Sequence, residues 1–250
     1  MSIDDTKEIQ LHRAILNELG YDINDKSKIL DFGCGEGETV YQYRRAGFNA
    51  FGADIKLNQE NDFLKLIQTT NGYDMPFPDK TFDFVFSQSV FEHVQNLSLA
   101  LFEICRVLKP GGVSLHFFPP RWKPIEDHIF VPFAGVFQGY SWLLLWSFLG
   151  VRHSFGRNRR YSENAIINYK YLKEYTAYRS KKELRNCVSQ YFDKVVFAER
   201  YHIKHSYGRA RRLSSLIKIF PFLVRLYSTF HCRVIFFAKN RALQVESGGT

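Results

Sequence analysis

Cysteine is scarce in this chain of 250 residues: four are present, Cys34, Cys105, Cys187 and Cys232, and no two form a CxxC pair. That scatter excludes a cysteine zinc site and a disulfide framework, and it sets a reducing, cytoplasmic location as the expectation. Hydrophobic runs are short. The stretch from Gly139 to Gly150 covers 12 residues, whereas a membrane-spanning helix needs about 20. No apolar run precedes Leu11, and Asp4 and Asp5 stand near the start, so no standard signal peptide is expected. An RNA-binding module is also missing, as are a reactive cysteine after the fourth strand and an Asn-Pro-Pro-Tyr turn.

What is present suffices for one well-filled core, since 45% of the residues are hydrophobic, and the chain reads as a single α/β domain over 1–250. Its net charge of +9 is unevenly spread. Residues 1–120 hold 11 Lys and Arg against 17 Asp and Glu, and residues 121–250 hold 23 against 8. Either the basic half meets an anionic partner or it is a solvated basic surface.

The chain is organised around Lys28-Ile29-Leu30-Asp31-Phe32-Gly33-Cys34-Gly35-Glu36-Gly37. A buried apolar strand ends in an acid and is followed by a glycine-rich turn that opens a helix near Glu38. Glycines at alternate positions allow a sharp turn and a close approach by a ligand. The dinucleotide fingerprint GxGxxG is not met, because the third glycine is Gly37 and Glu38 stands where the fingerprint has glycine. Asp31, Glu36 and Glu38 disfavour a phosphate and favour a cationic or zwitterionic ligand.

Apolar positions predict a helix over residues 5–20, closed by Gly20 and placed to cover the cofactor. A helix over 38–46 closed by Gly47 and a second strand over 49–54 follow. That strand ends at Asp54, 23 positions after Asp31, where a carboxylate in a βαβ unit can accept both hydroxyls of a ribose. Residues 60–68 read as helical and 71–79 as a loop. Residues 81–87 form a central strand, 97–107 a helix and 113–118 a fifth strand. Strict alternation implies a parallel, doubly wound sheet.

Four blocks in this order resemble the class I S-adenosylmethionine-dependent methyltransferases, the type 11-like group. They are Ile29 to Gly37; Gly52-Ala53-Asp54-Ile55; Met75-Pro76-Phe77-Pro78-Asp79 with Thr81-Phe82-Asp83; and Glu92-His93-Val94 followed by Arg106 to Gly112. The resemblance implies a Rossmann-like, mostly parallel seven-stranded sheet with a helical insertion after strand five, and S-adenosylmethionine as cofactor. Asp31, Gly33, Gly35 and Gly37 would then surround its methionine part. Asp54 would hold the ribose, with Ile55 beneath the adenine. Asn71, with Gly72 beside it, stands where the family carries an acid for the adenine amino group, and Asp74 is the acid that can substitute. Ser87 would meet the methionyl amino group through its backbone.

Methyl transfer is an in-line displacement in which the cofactor brings the reactive group, so the chain needs no assembled triad or metal cluster. Two histidines are candidates for a base or for orienting the acceptor. His93 begins the helix after strand four, and His128 belongs to the cluster Glu126-Asp127-His128 that follows strand five. His116, inside a strand pattern, reads as structural.

Residues 119–178 form an insertion placed to cover the substrate. Its apolar run is a buried lid helix, part of an apolar pocket or plain packing, and Arg152, Arg157, Arg159 and Arg160 suit a substrate phosphate or carboxylate. Ser180 and Glu183 read as a capping box. Strands six and seven are expected over 195–199 and 232–238, with an antiparallel edge. Between them, 204–230 interleaves basic, apolar and aromatic residues. That composition suits an interfacial helix on anionic lipid, RNA contact, or a packed helical pair broken at Pro221. The acceptor expected is small, anionic or lipid-linked, with nucleic acid a weaker alternative and a non-catalytic cofactor-binding scaffold a third.

Overall fold

The computed structural model describes residues 6–56, 66–68, 73–151, 159–207 and 212–239. Seven strands form one sheet: β1 Lys28–Phe32, β2 Asn49–Asp54, β3 Leu66–Gln68, β4 Phe82–Gln88, β5 Leu108–Phe118, β6 Lys194–Phe197 and β7 Arg233–Ala238. Their order is β3-β2-β1-β4-β5-β7-β6. The first five are mutually parallel, and β7 runs antiparallel to both β5 and β6. Strand order reverses between β1 and β4, which makes the carboxyl ends of these two strands the natural crevice of the fold.

The near-continuous apolar strands are buried on both faces. Leu30 and Phe32 of β1 and Ile235 and Phe237 of β7 face one core layer, whereas Ile29, Val234 and Phe236 face the other. This is the two-residue period of a pleated strand. Helices α1 Lys7–Glu18 and α2 Glu38–Arg45 contribute Ile9, Ile15, Leu16, Val40 and Tyr43 to the second layer. Helix α3 Leu97–Val107 covers the first layer, together with a later helix, α6 Lys181–Val188. The α6 start carries the expected box: Glu183 N–H donates to Ser180 Oγ at 3.2 Å and Ser180 N–H to Glu183 Oε2 at 2.6 Å.

Between β5 and α6 lie α4 Tyr140–Phe148 and α5 Tyr161–Tyr175, packed through Leu143, Ala165 and Leu172 around a cluster of their own. Helix α4 is not a buried lid helix. Only Leu143 and Ser147 are buried, and Leu145, Phe148 and Leu149 face outward. After β6 come α7 Glu199–His205, α8 Leu213–Ile219 and α9 Phe222–Phe230. Ile203, Ile217 and Tyr227 join these three into one small cluster. Pro221 stands at the break between α8 and α9, which form a packed helical pair.

One predicted element changes type. Leu66–Gln68 is not helical but pairs in parallel with Gly52, Ala53 and Asp54 of β2. A three-residue edge strand has too few positions to display a period, and only the partner's backbone selects it. Residues 60–65 lie outside the described residues, as do Arg152 and Arg157. Part of the basic excess is internal: the Arg179 guanidinium donates to the carbonyls of Phe91, Ala177, Val94 and Gln95, and Arg233 is buried.

Two histidines are buried in the core, His12 against Tyr43, Phe86 and Phe117 and His116 between Phe91 and Phe237, and a third, His202, is half-buried beside Phe117 and Tyr227. Burial lowers all three, His12 to about 3 and His202 to about 4, each helped by a neighbouring histidine, and His116 well below its usual value. The folded chain holds them neutral while the unfolded chain protonates them below about pH 6.5. Their contribution is therefore complete above that pH and is lost as the pH falls. Each histidine removes about 1.4 kcal/mol per pH unit over its window. The urea midpoint should drop steeply between roughly pH 6.5 and pH 4.5; a flat profile contradicts this account.

Candidate functional site

At the carboxyl ends of β1, β2 and β4 lies a cavity of about 530 Å³, bounded by Gly33, Asp54, Ile55, Tyr73, Ser89 and Val90 on the sheet side. Tyr171 and Tyr175 of α5 line its other side. A cleft of about 610 Å³ at the opposite edge, between Tyr21, Asp83 and Lys109, sits at the amino ends of the strands, where open α/β sheets do not bind ligands.

The turn after β1 forms as its glycines dictate. Gly33, Gly35 and Gly37 have φ of 80°, 52° and 79°, in the left-handed region where a side chain is strained. Gly33 and Cys34 N–H donate to the Ala53 carbonyl at 2.7 and 3.2 Å. Gly35 N–H donates to Asp54 Oδ2 at 2.8 Å. The turn is thereby tied to the tip of β2, and Asp31, Gly33, Asp54 and Ile55 converge. Ile55 is 63% exposed beside Asp54, a bare apolar surface at the cavity wall. A Cβ on Gly33 would meet Val90 Cγ2 at 2.4 Å and carry the φ strain as well. Gly33→Ala is expected to cost about 2–3 kcal/mol, lowering the melting midpoint by roughly 5–10 °C. An unchanged midpoint counts against this tight approach.

Around the turn, negative charge is concentrated. Burial, then the charges of Glu8 and Asp54, push the Asp31 carboxyl well above the usual carboxylate range. Glu8 enters from α1 and accepts a hydrogen bond from Gln88 Nε2. Burial and the charge of Glu38 raise it too. A cluster of carboxyls strained toward the neutral form is poised to ionise around a cation. Glu8 escaped the sequence reading because 80 residues separate it from Gln88; the only signal was its position in a helix preceding the first strand.

The remaining candidates divide. Ser87 is fully buried and is not among the residues lining the cavity; its Oγ lies 2.7 Å from His116 Nδ1, which leaves only its backbone for the expected contact. Since Ser114 Oγ donates to the Val85 carbonyl and accepts from His116 Nε2 at 2.6 Å, Ser87 is the donor to Nδ1 in a closed chain. Ser89, with φ 52°, takes the cavity position two residues on. Asp74 is exposed and does not line the cavity, whereas Tyr73 does. Asn71 and Gly72 lie outside the described residues.

His93 and His128 come together, their Nε2 atoms 3.1 Å apart. His93 lines the cavity, and its Nδ1 lies 2.6 Å from the Tyr175 carbonyl. His128 Nδ1 is 2.6 Å from Glu126 Oε1. Glu126 is buried and also accepts from Tyr178 Oη at 2.7 Å and from His128 and Ile129 N–H, each at 2.8 Å. Burial opposes the charge on both partners, but the hydrogen bonds and mutual attraction outweigh it, so Glu126 is lowered and His128 raised. Asp127 turns away to Lys123. Glu92, missed by the sequence reading, is buried beside the pair, and its burial raises it to about 7.

The doubly wound sheet with an antiparallel β7 and an acid-ringed glycine turn at its carboxyl edge defines the class I methyltransferase fold. Residues 30–115 match the family model described as "Methyltransferase domain". The malonyl-[acyl-carrier protein] O-methyltransferase of Erwinia billingiae is 30% identical over 128 residues, covering 44% of this chain and 51% of that protein. The demethylmenaquinone methyltransferase of Tropheryma whipplei is 35% identical over 119 residues, 44% of this chain and 48% of that protein. The chain thus spans about half the length of the curated relatives it matches. A crystal structure of an S-adenosylmethionine-dependent methyltransferase from Mesorhizobium loti shares the fold, with TM-score 0.53 and 13% identity over 95% of this chain and 100% of that one. The sheet is thus that of the class I methyltransferases, and residues 30–115 are similar to the methyltransferase-domain family.

Proposed function

We propose that this chain transfers the methyl group of S-adenosylmethionine to a small-molecule acceptor. The observation that carries the proposal is the crevice with Asp54 and Ile55 on its wall, backed by the buried Asp31 and by Glu8, whose charges act on one another beside the glycine turn. Asp54 suits the ribose hydroxyls and Ile55 the adenine face. Asp31, Glu8 and the turn of Gly33, Gly35 and Gly37 suit the ammonium and sulfonium, whose positive charge would offset the mutual repulsion of the carboxyls. The relatives act on malonyl-[acyl-carrier protein] and demethylmenaquinone by their names, which supports a small or carrier-bound acceptor.

In this reading the acceptor lies between the crevice and the segment 119–178, against Tyr171 and Tyr175. The acceptor's lone pair forms the new bond to the methyl carbon, and the carbon–sulfur bond breaks with its electrons returning to sulfur. The chain aligns the three atoms. His93, which lines the cavity, and His128 beside it orient the reacting atom. Arg159 and Arg160, both exposed, support an anionic acceptor. Ile219, Phe220 and Phe222 are exposed beside Lys218 and support peripheral contact of 204–230 with anionic lipid. Among the described residues, no helix is long and apolar enough to cross a membrane.

The test is a thermal melt with S-adenosylmethionine, S-adenosylhomocysteine and NAD, each at about 100 times the dissociation constant expected. The two sulfur ligands should stabilise by ~2.7 kcal/mol, raising the midpoint by roughly 5–10 °C, and NAD should not. No shift with either sulfur ligand would sink the reading.

A further inference from the structure

We propose that Glu92, His93 and His128 form a binding site for a divalent first-row metal ion, with zinc the best match, beside the acceptor cavity. The ring nitrogens carry the first step. A carbonyl can only accept, so His93 Nδ1, 2.6 Å from the Tyr175 oxygen, bears the hydrogen and Nε2 presents a lone pair. The carboxylate of Glu126 imposes the same tautomer on His128 at 2.6 Å. The two Nε2 atoms face each other across 3.1 Å, where either one shared proton or a metal cation between the rings satisfies both nitrogens. Histidines fixed through Nδ1 by a carbonyl and a buried carboxylate are held as metal ligands are held.

Glu92 supplies the second, independent observation. Its side chain is fully buried, and both carboxylate oxygens lack a hydrogen-bond partner among the described residues. A carboxylate left so placed is strongly unfavourable, and an ion at the point it faces removes the penalty. Glu92 Oε1 is 3.8 Å from His93 Nε2, and one ligand atom from each of the three residues lies within 4.8 Å of the others. A tetrahedral ion with bonds of about 2.1 Å spaces its ligands by about 3.4 Å. The observed 3.1 and 3.8 Å separations bracket that value, so small rotations close the site.

Two imidazoles and one carboxylate suit zinc and its first-row neighbours, while magnesium prefers an all-oxygen shell. Because His93 lines the cavity, the open coordination position faces the acceptor. Resting on the methyl-transfer reading, the site's ligand is an oxygen-bearing acceptor. Its hydroxyl coordinates the ion and releases its proton to water, and the oxygen lone pair then bonds to the methyl carbon as the carbon–sulfur pair returns to sulfur.

The full chain, stripped with a chelator, would be titrated calorimetrically with zinc chloride, with magnesium chloride as a control, and separately with S-adenosylhomocysteine. About one equivalent of zinc should bind with micromolar or tighter affinity, and magnesium should not. Glu92→Gln keeps the shape and removes a buried charge; His128→Gln removes one ligand. Each should weaken zinc at least ~10-fold and leave S-adenosylhomocysteine affinity within about twofold. A chain that binds S-adenosylhomocysteine but no zinc, or variants that bind zinc like the parent, overturn the metal site alone. Zinc binding lost in the variants, in a chain that binds no S-adenosylhomocysteine, upholds the site and removes the methyl-transfer reading.

Discussion

Asp54→Ala is expected to weaken S-adenosylhomocysteine binding by roughly 100-fold to 10,000-fold, since two hydrogen bonds from ribose hydroxyls to a carboxylate contribute about 1.5–3 kcal/mol each. The geometry concentrates the effect in binding. Asp54 is half-buried at the tip of β2, accepting from Gly35 N–H at 2.8 Å and Lys56 N–H at 3.1 Å. Losing it therefore also loosens the turn that meets the ligand. The effect on folding should stay near ~1 kcal/mol, the cost of one backbone donor returned to water. Asp54→Asn keeps an acceptor for Gly35 and should fall between the parent and alanine. Titration calorimetry reads all three. Equal affinities for parent and Asp54→Ala would remove Asp54 from the cofactor site.

Arg106→Met should lower the melting midpoint by roughly 6–12 °C, corresponding to about 3 kcal/mol. Every face of the guanidinium is used: Nε and Nη2 donate to the two oxygens of Glu103 at 2.8 Å, Nη1 to Phe77 O and Asp79 Oδ1 at 2.7 and 2.8 Å, and Nη2 to Met75 O at 2.8 Å. Glu103 in turn accepts from Met75 N–H at 3.1 Å. The hydrogen bonds from Arg106 hold the Glu103 carboxyl below its usual range despite burial. Methionine would leave the Glu103 carboxylate with the Met75 N–H in place of a charged partner and would strip the guanidinium's hydrogen bonds from the Phe77 and Met75 carbonyls. Replacing Glu103 by methionine as well should restore part of the loss, because the second change removes the stranded charge. The loop so anchored carries Tyr73 into the cavity wall, so cofactor affinity should fall with stability. A midpoint within about 2 °C of the parent's would show that the pair adds nothing to the fold.

Both predictions concern groups that were readable along the chain, and the reason is local. A strand, a glycine turn and a helix start occupy ten consecutive residues, and the left-handed φ of Gly33, Gly35 and Gly37 is a property those residues bring with them. The apolar period of α1, the capping box of α6 and the break at Pro221 are likewise set within one or two turns of backbone. Alternation of strands and helices then constrains the sheet, because parallel neighbours need right-handed crossovers.

What the tertiary structure alone decided involves partners distant in sequence. Leu66–Gln68 is a strand because β2 offers it a free edge. Ser87 is withdrawn and Ser89 exposed because His116, 29 residues on, claims the first hydroxyl. Glu8 reaches the acid ring only once α1 lies across the sheet, and His93 meets His128 only once the segment after β5 folds back over β4. No period, cap or turn residue encodes such meetings. They follow from which surfaces bury one another, and the amino-acid sequence by itself determined the elements other than the short edge strand Leu66–Gln68, and the glycine turn, while packing across long separations determined which side chains share the cavity.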